Sequence, residues 1–273
     1  MAIIALTAGS GSPGVSTTTV GLALCWPRPV VLVEADPTGG SGILAGYFQG
    51  QVAHDGGLIE LAMAQREDLV AAELPHQLLD LPGSQARLLP GSRSHAQAGS
   101  MTTLWPVLLD ALRDLEATGQ DVLVDAGRLG LVGSPAPLLY GADLTLLLTR
   151  STLPAVIAAT SWAETLRDQT EATATRVGVV VIGEGHPYSA REVSDALGLP
   201  WWAPCRGTAA RPRSCPGPAA PSPGALHCAR GCRPWERRSA STPQQEWVVR
   251  CPRWRGWPVL FRRLWEVPDD AAP

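Results

Sequence analysis

The sequence contains no lysine, because all 22 residues counted as Lys+Arg are arginine. It also has no run near the ~18 consecutive apolar residues of a membrane-spanning helix, and its N-terminus lacks the charged segment that begins a signal peptide. These two absences argue against a membrane-spanning or secreted protein, so we expect a cytoplasmic one. The missing lysine excludes no class of protein, but it limits which side chains can bring positive charge to a binding site.

Charge is distributed unevenly along the 273 residues. Apolar residues make up 45% of the chain, which is typical of a globular protein and too many for a disordered one. Residues 1–204 hold 10 arginines against 20 acidic residues, whereas residues 205–273 hold 12 arginines against 5. We therefore divide the chain into an acidic domain, 1–204, and a basic tail, 205–273.

The tail is rich in proline, arginine and tryptophan, and it holds five of the six cysteines. It shows no hydrophobic period of 2 or 3.6 residues, so we expect it to be poorly ordered. A native segment and the translation of a GC-rich gene in a shifted frame both stay open. Residues 250–267 mix arginine with tryptophan and leucine, which would suit a membrane surface or nucleic acid. A zinc site is disfavoured because the tail has no paired C-x-x-C.

Residues 1–204 alternate short apolar strands with helical stretches, the pattern of a doubly wound α/β fold with a mostly parallel sheet between two helical layers. The strands are uninterrupted apolar runs, as expected when both faces of a sheet are covered. The predicted strands are Ala2–Thr7, Val30–Val33, Ala86–Leu89, Val122–Val124, Leu144–Leu148 and Val177–Ile182. The predicted helices are Ser16–Cys25, Leu58–Gln65, Thr103–Thr118, Pro154–Arg167 and Ala190–Leu197.

A glycine-rich turn follows the first predicted strand. It runs through Gly9, Ser10, Gly11, Ser12, Pro13, Gly14, Val15, Ser16 and Thr17. The run matches the phosphate-loop pattern G-x-x-x-x-G-K-[ST], except that valine stands at the lysine position. Glycines let successive backbone amides face phosphate oxygens, and the helix that follows adds its positive end. We expect the loop to bind nucleotide phosphates, with the Ser16 hydroxyl on Mg²⁺; a plain tight turn is the alternative.

Three acidic residues end predicted strands. Glu34 and Asp36 follow the second strand and Asp125 ends the strand after the long helix. Carboxyl ends of parallel strands meet at one edge of the sheet, where ligands bind. We expect Asp125 to hold Mg²⁺ through water and Asp36 to orient an attacking water, the positioning roles that phosphoryl transfer needs. An acidic residue at a strand end can also be a simple loop residue.

Three motifs in this order resemble the ParA/MinD family of deviant Walker-A ATPases, which includes partition proteins, the septum-site protein MinD and the pilus-assembly proteins CpaE and TadZ. The matching segments are SGSPGVST at 10–17, EADPTGG at 34–40 and DAG at 125–127. The resemblance implies a P-loop NTPase fold that binds ATP or ADP with Mg²⁺ and forms a homodimer on nucleotide binding. It also implies a protein partner in a partition or secretion system, and contact with non-specific DNA or the inner face of the membrane.

Both lysines that the family carries in this loop are absent, since Ser10 and Val15 stand in their places. Losing one donor to a transition state commonly costs ~10²–10³ in rate. Arg128 and Arg150, near the ends of two predicted strands, are candidates to replace the lysines; solvated loop arginines are the alternative. We expect a nucleotide-responsive partitioning or positioning factor with impaired hydrolysis, and a non-catalytic pseudo-ATPase scaffold is the alternative.

Overall fold

The computed structural model describes residues 1–202, apart from the side chain of Glu116. The predicted tail at 205–273 lies outside the described residues. Its expected lack of order and its DNA, membrane and zinc interpretations therefore stay predictions, as does the domain boundary at 204.

One sheet organises the described part of the chain, with strand order β3-β4-β2-β5-β1-β6-β7. Neighbouring strands are parallel except β3 and β4, which are antiparallel. The predicted doubly wound, mostly parallel sheet is therefore confirmed. The strands are β1 (Ile3–Ala8), β2 (Val30–Glu34), β3 (Leu79–Asp80), β4 (Ala86–Leu89), β5 (Asp121–Arg128), β6 (Leu144–Arg150) and β7 (Arg176–Ile182).

Helices connect the strands and cover the sheet. Within residues 1–202 they are α1 (Val15–Leu24), α2 (Gly42–Gly46), α3 (Leu58–Ala64), α4 (Val70–Glu73), α5 (His95–Ser100), α6 (Leu104–Asp114), α7 (Ala136–Tyr140), α8 (Leu153–Thr170) and α9 (Ala190–Leu197). Short 3₁₀ turns follow α3, α4 and α6. No helix of this part is both long and apolar enough to cross a membrane.

The two faces of the sheet bury separate apolar cores. In β2, Val31 and Val33 join the core that contains Trp105 and Leu108 of α6. The alternate residues Val30 and Leu32 join the second core, which contains apolar side chains of α1 and α2. Because successive side chains of a strand point to opposite faces, β2 is apolar throughout, and the molecule has the expected three layers of helix, sheet and helix.

The long helix α6 shows how the sequence pattern becomes packing. Its buried side chains are Leu104, Trp105, Leu108, Leu109, Ala111 and Leu112. They recur at helical spacing, so one stripe of the helix lies on the sheet. The Trp105 indole N–H also donates a hydrogen bond of 3.1 Å to the carbonyl oxygen of Gly133. This bond attaches the helix to the loop after β5.

Candidate functional site

The loop between β1 and α1 bends through two glycines with left-handed backbone angles. Gly11 has φ 62° and Gly14 has φ 95°, and Gly14 is the N-cap residue of α1. No side chain caps this helix, and its first turn carries no acidic residue. The first amides of a helix have no partner within the helix, so the uncapped N-terminus of α1 presents N–H donors and a positive dipole end to an anion.

Trp162 of α8 holds the beginning of this loop. A Cβ at Gly9 would lie 2.7 Å from Trp162 Cδ1, and one at Gly130 would lie 3.0 Å from Trp162 Cζ2. Only glycine therefore fits Gly9 without moving the indole ring. No local pattern indicates this contact, because α8 lies about 150 residues later in the chain.

Val15, at the lysine position of the pattern, belongs to the apolar core. Its side chain is buried in the same apolar cluster as Leu6, Ala8 and Leu148. The valine thus extends the core beneath the loop, and it leaves the loop without the cation that a lysine would bring. Ser10, Ser16 and Thr17 are half-buried, and Ser12 is exposed.

A cavity of about 200 Å³ lies at the carboxyl edge of the sheet. Its lining residues come from α1, from the ends of β2 and β4 and from the segments that follow them: Ser16, Glu34, Asp36, Thr38, Gly39, Gly40, Gly42, Gly91 and Ser92. The structure therefore brings Ser16 of the predicted phosphate loop together with Glu34 and Asp36 at the carboxyl edge of the parallel sheet.

Asp125 lies beneath this cavity and is fully buried. Burial raises the pKa of its carboxyl to about 7, and the charges of Asp36 and Glu34 add to the rise, while the nearby Ser16 hydroxyl and the Gly127 amide oppose it. The Gly127 N–H donates to Oδ1 at 3.1 Å, but Oδ2 has no hydrogen-bond partner among the described residues. A buried acceptor of this kind needs a partner, and a cation or its water would provide one.

Asp36 lies against the third motif. A Cβ on Gly127 would be 2.2 Å from Asp36 Cγ, and Gly127 has φ 60°. The Thr38 N–H donates a hydrogen bond of 2.9 Å to Asp36 Oδ1, which orients the carboxylate. The glycine of the Asp125-Ala126-Gly127 motif is thus required by its contact with Asp36, the aspartate of the second motif. Neither motif shows this contact in its own sequence.

Glu34 has a mainly structural place in the site. The side chain is buried, and burial raises the pKa of its carboxyl, while hydrogen bonds from Ser41 and Gly91 oppose the rise. The Gly91 N–H donates to Oε2 at 3.1 Å. Glu34 therefore joins the end of β2 to the turn after β4, and it shapes the cavity around Asp36.

Ser92 is a cavity residue that was not predicted from the sequence. It is 4% exposed, and its hydroxyl has no hydrogen-bond partner in the described part of the chain. Its carbonyl accepts a hydrogen bond of 2.9 Å from the Gly40 N–H, which fastens the end of the second motif to the turn after β4. The Pro90-Gly91 turn at the end of a predicted strand was the available sign, since it falls at the same sheet edge.

The two arginines singled out by the sequence differ in position. Arg150 Nη2 donates to the carbonyl oxygen of Ser12 at 3.4 Å, so this guanidinium lies against the phosphate loop. Arg128, at the end of β5, is exposed, and its side chain forms no hydrogen bond or ion pair with the residues described. The structure therefore distinguishes two candidates that the sequence treated alike.

The residues present fit a magnesium ion that is held together with a nucleotide. Within residues 1–202 no group of three or more His, Cys, Asp or Glu side chains is arranged to hold a metal. Mg²⁺ is usually bound by one or two protein oxygens with the phosphates of the substrate and several waters. Ser16 would supply such an oxygen, and the unpartnered oxygen of Asp125 would accept a hydrogen bond from one of the waters on the ion.

No protein-family model and no curated protein sequence matches the chain. Solved structures do match. One is the septum site-determining protein MinD of Pyrococcus horikoshii, in complex with Mg-ADP, with a TM-score of 0.57 and 17% identity. The match covers 73% of this chain and 79% of that one.

Two further matches have different activities. The ParA family ATPase of Chlorobium tepidum has a TM-score of 0.57 at 14% identity, and the match covers 74% of this chain and 82% of that one. Cobyrinic acid a,c-diamide synthase of Mycobacterium smegmatis, with bound ADP and magnesium, has a TM-score of 0.58 at 19% identity, with 73% and 84% covered. At these identities the likeness shows the fold alone. The function has to be inferred from the residues of the site.

Proposed function

We propose that this chain, which has the fold shared by MinD, ParA-family ATPases and related nucleotide-binding proteins, binds ATP or ADP with Mg²⁺ in the loop at 9–17 and responds to it as a partitioning or positioning factor. The observation that carries the proposal is the meeting of the uncapped α1 N-terminus and Ser16 with Asp36 and Asp125 at one edge of the sheet.

Each part of the site has a role in binding. The amides of the loop and of the first turn of α1 would hold the phosphates. Ser16 directly, and Asp125 through water, would hold Mg²⁺, which neutralises phosphate charge when bound. Asp36, held by the Thr38 amide, would orient a water for attack on the terminal phosphate.

We propose that hydrolysis is slow. Val15 is buried in the apolar cluster below the loop, and Ser10 carries no charge, so neither replaces a lysine. Transition-state charge would then be stabilised by amides and Mg²⁺ with less help from cationic side chains than in lysine-bearing relatives. A pseudo-ATPase scaffold is the second candidate, favoured by the excess of 20 acidic residues over 10 arginines in residues 1–204, which repels a nucleotide.

We further propose that the bound nucleotide controls which partners the protein contacts. We include a homodimer that forms on nucleotide binding, a protein partner in a partition or secretion system, and contact with non-specific DNA or a membrane surface from the cytoplasm. These follow from the resemblance of the three motifs to the ParA/MinD family. The septum, the chromosome, the flagellum and the pilus stay equal alternatives for the process served.

Calorimetry with ATP and ADP, with and without Mg²⁺, together with a phosphate-release assay, tests the proposal. We expect Mg²⁺-dependent binding with turnover well below that of lysine-bearing relatives. Asp125→Asn should weaken the Mg²⁺ dependence, whereas Asp80→Asn on the exposed strand β3 should not. If neither ATP nor ADP binds, the pseudo-ATPase scaffold is favoured. Turnover equal to that of lysine-bearing relatives would contradict slow hydrolysis.

A further inference from the structure

We propose that Arg150 is the phosphate-binding cation of this loop and takes over the electrostatic role of the absent lysines. The inference rests on the proposed function, because it names the side chain that would meet the nucleotide phosphates. Arg150 would act as a binding residue that contacts phosphate oxygens from the neighbouring strand, outside the loop itself.

The sheet register carries Arg150 to the loop. In the pairing of β1 with β6, Ala8 lies opposite Leu148, so Arg150, two residues further, lies beyond the end of β1 where the loop begins. Its Nη2 reaches the Ser12 carbonyl oxygen at 3.4 Å. The side chain of an arginine at this position therefore extends along the loop rather than away from it.

The guanidinium has donors left for a ligand. Arginine carries five N–H donors in a planar fork, and the described residues supply Arg150 with the Ser12 carbonyl as partner and with no carboxylate. Two parallel N–H donors match two phosphate oxygens. The contact with Ser12 would hold the side chain near the loop before a ligand arrives, which reduces the entropy lost on binding.

Two other arginines of the described residues have partners away from the loop. Arg28 pairs with Asp121 at 2.7 Å and Arg87 contacts Gln120 at 2.6 Å, both near the start of β5, at the opposite edge of the sheet. Arg128 shares the edge with Arg150, and its backbone pairs with Ala8 at the start of the loop, but in the described part of the chain its side chain forms no hydrogen bond with a loop residue. Arg128 is therefore a matched control: an exposed arginine at the same edge, on a strand of the same sheet.

The test measures Mg-ADP and Mg-ATP binding by calorimetry for the full chain and for Arg150→Ala, Arg150→Lys and Arg128→Ala. Loss of a charge-assisted bidentate contact should weaken binding in Arg150→Ala by roughly 10- to 100-fold. Arg150→Lys should recover part of the loss, because it restores the charge without the planar fork. Arg128→Ala should bind like the unaltered chain.

A second readout separates a charge contact from a structural role. If Arg150 meets phosphate, the affinity of Arg150→Ala should depend less on salt than that of the unaltered chain, because one screened attraction is gone. Equal affinities of Arg150→Ala and Arg128→Ala, or no recovery in Arg150→Lys, would overturn the role of Arg150 and leave the proposed function standing. No nucleotide binding by the unaltered chain would overturn the proposed function and this role with it.

Discussion

At the scale of single residues, Gly127 is a position of the site where a side chain would meet another group of the site. It has φ 60°, and any Cβ there would lie 2.2 Å from Asp36 Cγ. Gly127→Ala should therefore lower the free energy of unfolding by roughly 2–4 kcal/mol, through backbone strain and the displaced carboxylate. Urea denaturation measures the change.

Gly119→Ala is the control for backbone strain. Gly119 has φ 70° but open space where its Cβ would stand. The variant should lose only about 1 kcal/mol of stability, the cost of a left-handed alanine. Equal losses in the two variants would mean that the Asp36 contact does not constrain position 127.

Asp125 makes stability depend on pH. The pKa of its carboxyl in the folded protein is about 7, above the ordinary value of 3.8, chiefly because of burial. The folded state therefore holds a proton that the unfolded state releases between these values, so stability should fall as pH rises from about 4 to about 7 and level off above.

Asp125→Asn should remove this dependence. In metal-free buffer the variant should be more stable than the unaltered chain at pH 8, by on the order of a few kcal/mol, and the difference should narrow toward pH 5. Thermal unfolding of both proteins between pH 5 and pH 8 measures this difference in stability. If the two stability curves run parallel, the Asp125 carboxyl does not titrate in this range.

Residue roles could be anticipated only in part from the sequence. The loop glycines, Ser16, Asp36 and Asp125 were recognisable because each belongs to a short motif with fixed spacing. Ser92 and Trp162 belong to no motif, and they enter the site through contacts with distant parts of the chain. The valine at the lysine position of the phosphate loop can be read from the sequence. Its burial beside Leu6 and Leu148, however, depends on how α1 packs against the sheet.

At the scale of elements, α6 should contribute much of the stability of one core. Leu108 is completely buried between this helix and the sheet, whereas Val107 next to it is 38% exposed. Leu108→Ala should lower the free energy of unfolding by about 2–5 kcal/mol through lost burial and the cavity left behind.

Val107→Ala is the matched control, since it shortens a side chain on the other face of the same helix. Its effect should stay near or below ~0.5 kcal/mol. Chemical denaturation monitored by circular dichroism compares the two variants. A similar loss in both would show that the apolar stripe of α6 does not face the core.

Apolar strands and helices of two or more turns were predictable, whereas one-turn helices were not. The strand Ala86–Leu89 and the helix Ala190–Leu197 occur with the predicted bounds. Helices α2, α4, α5 and α7 were not predicted, and each has only four to six residues. A helix of one turn is too short to show a hydrophobic period, and it forms because the chain around it is already folded.

At the scale of the whole molecule, the acidic domain should fold without the tail. Residues 1–202 contain a seven-stranded sheet with an apolar core on each face. A fragment of residues 1–204 should therefore be soluble and show one cooperative thermal transition. Circular dichroism and gel filtration of the fragment beside the full chain provide the test, and an insoluble fragment would place the domain boundary elsewhere.

The sequence by itself determined the alternation of strands and helices, the order of the three motifs and the absence of lysine. These are local properties, because hydrophobic period, glycine turns and residue types are carried by neighbouring positions. The tertiary structure decided that Arg150 rather than Arg128 reaches the loop, that Val15 joins the core, and that Gly127 supports Asp36. Those outcomes depend on strand register and on side-chain directions between segments far apart in the chain, which no local pattern specifies.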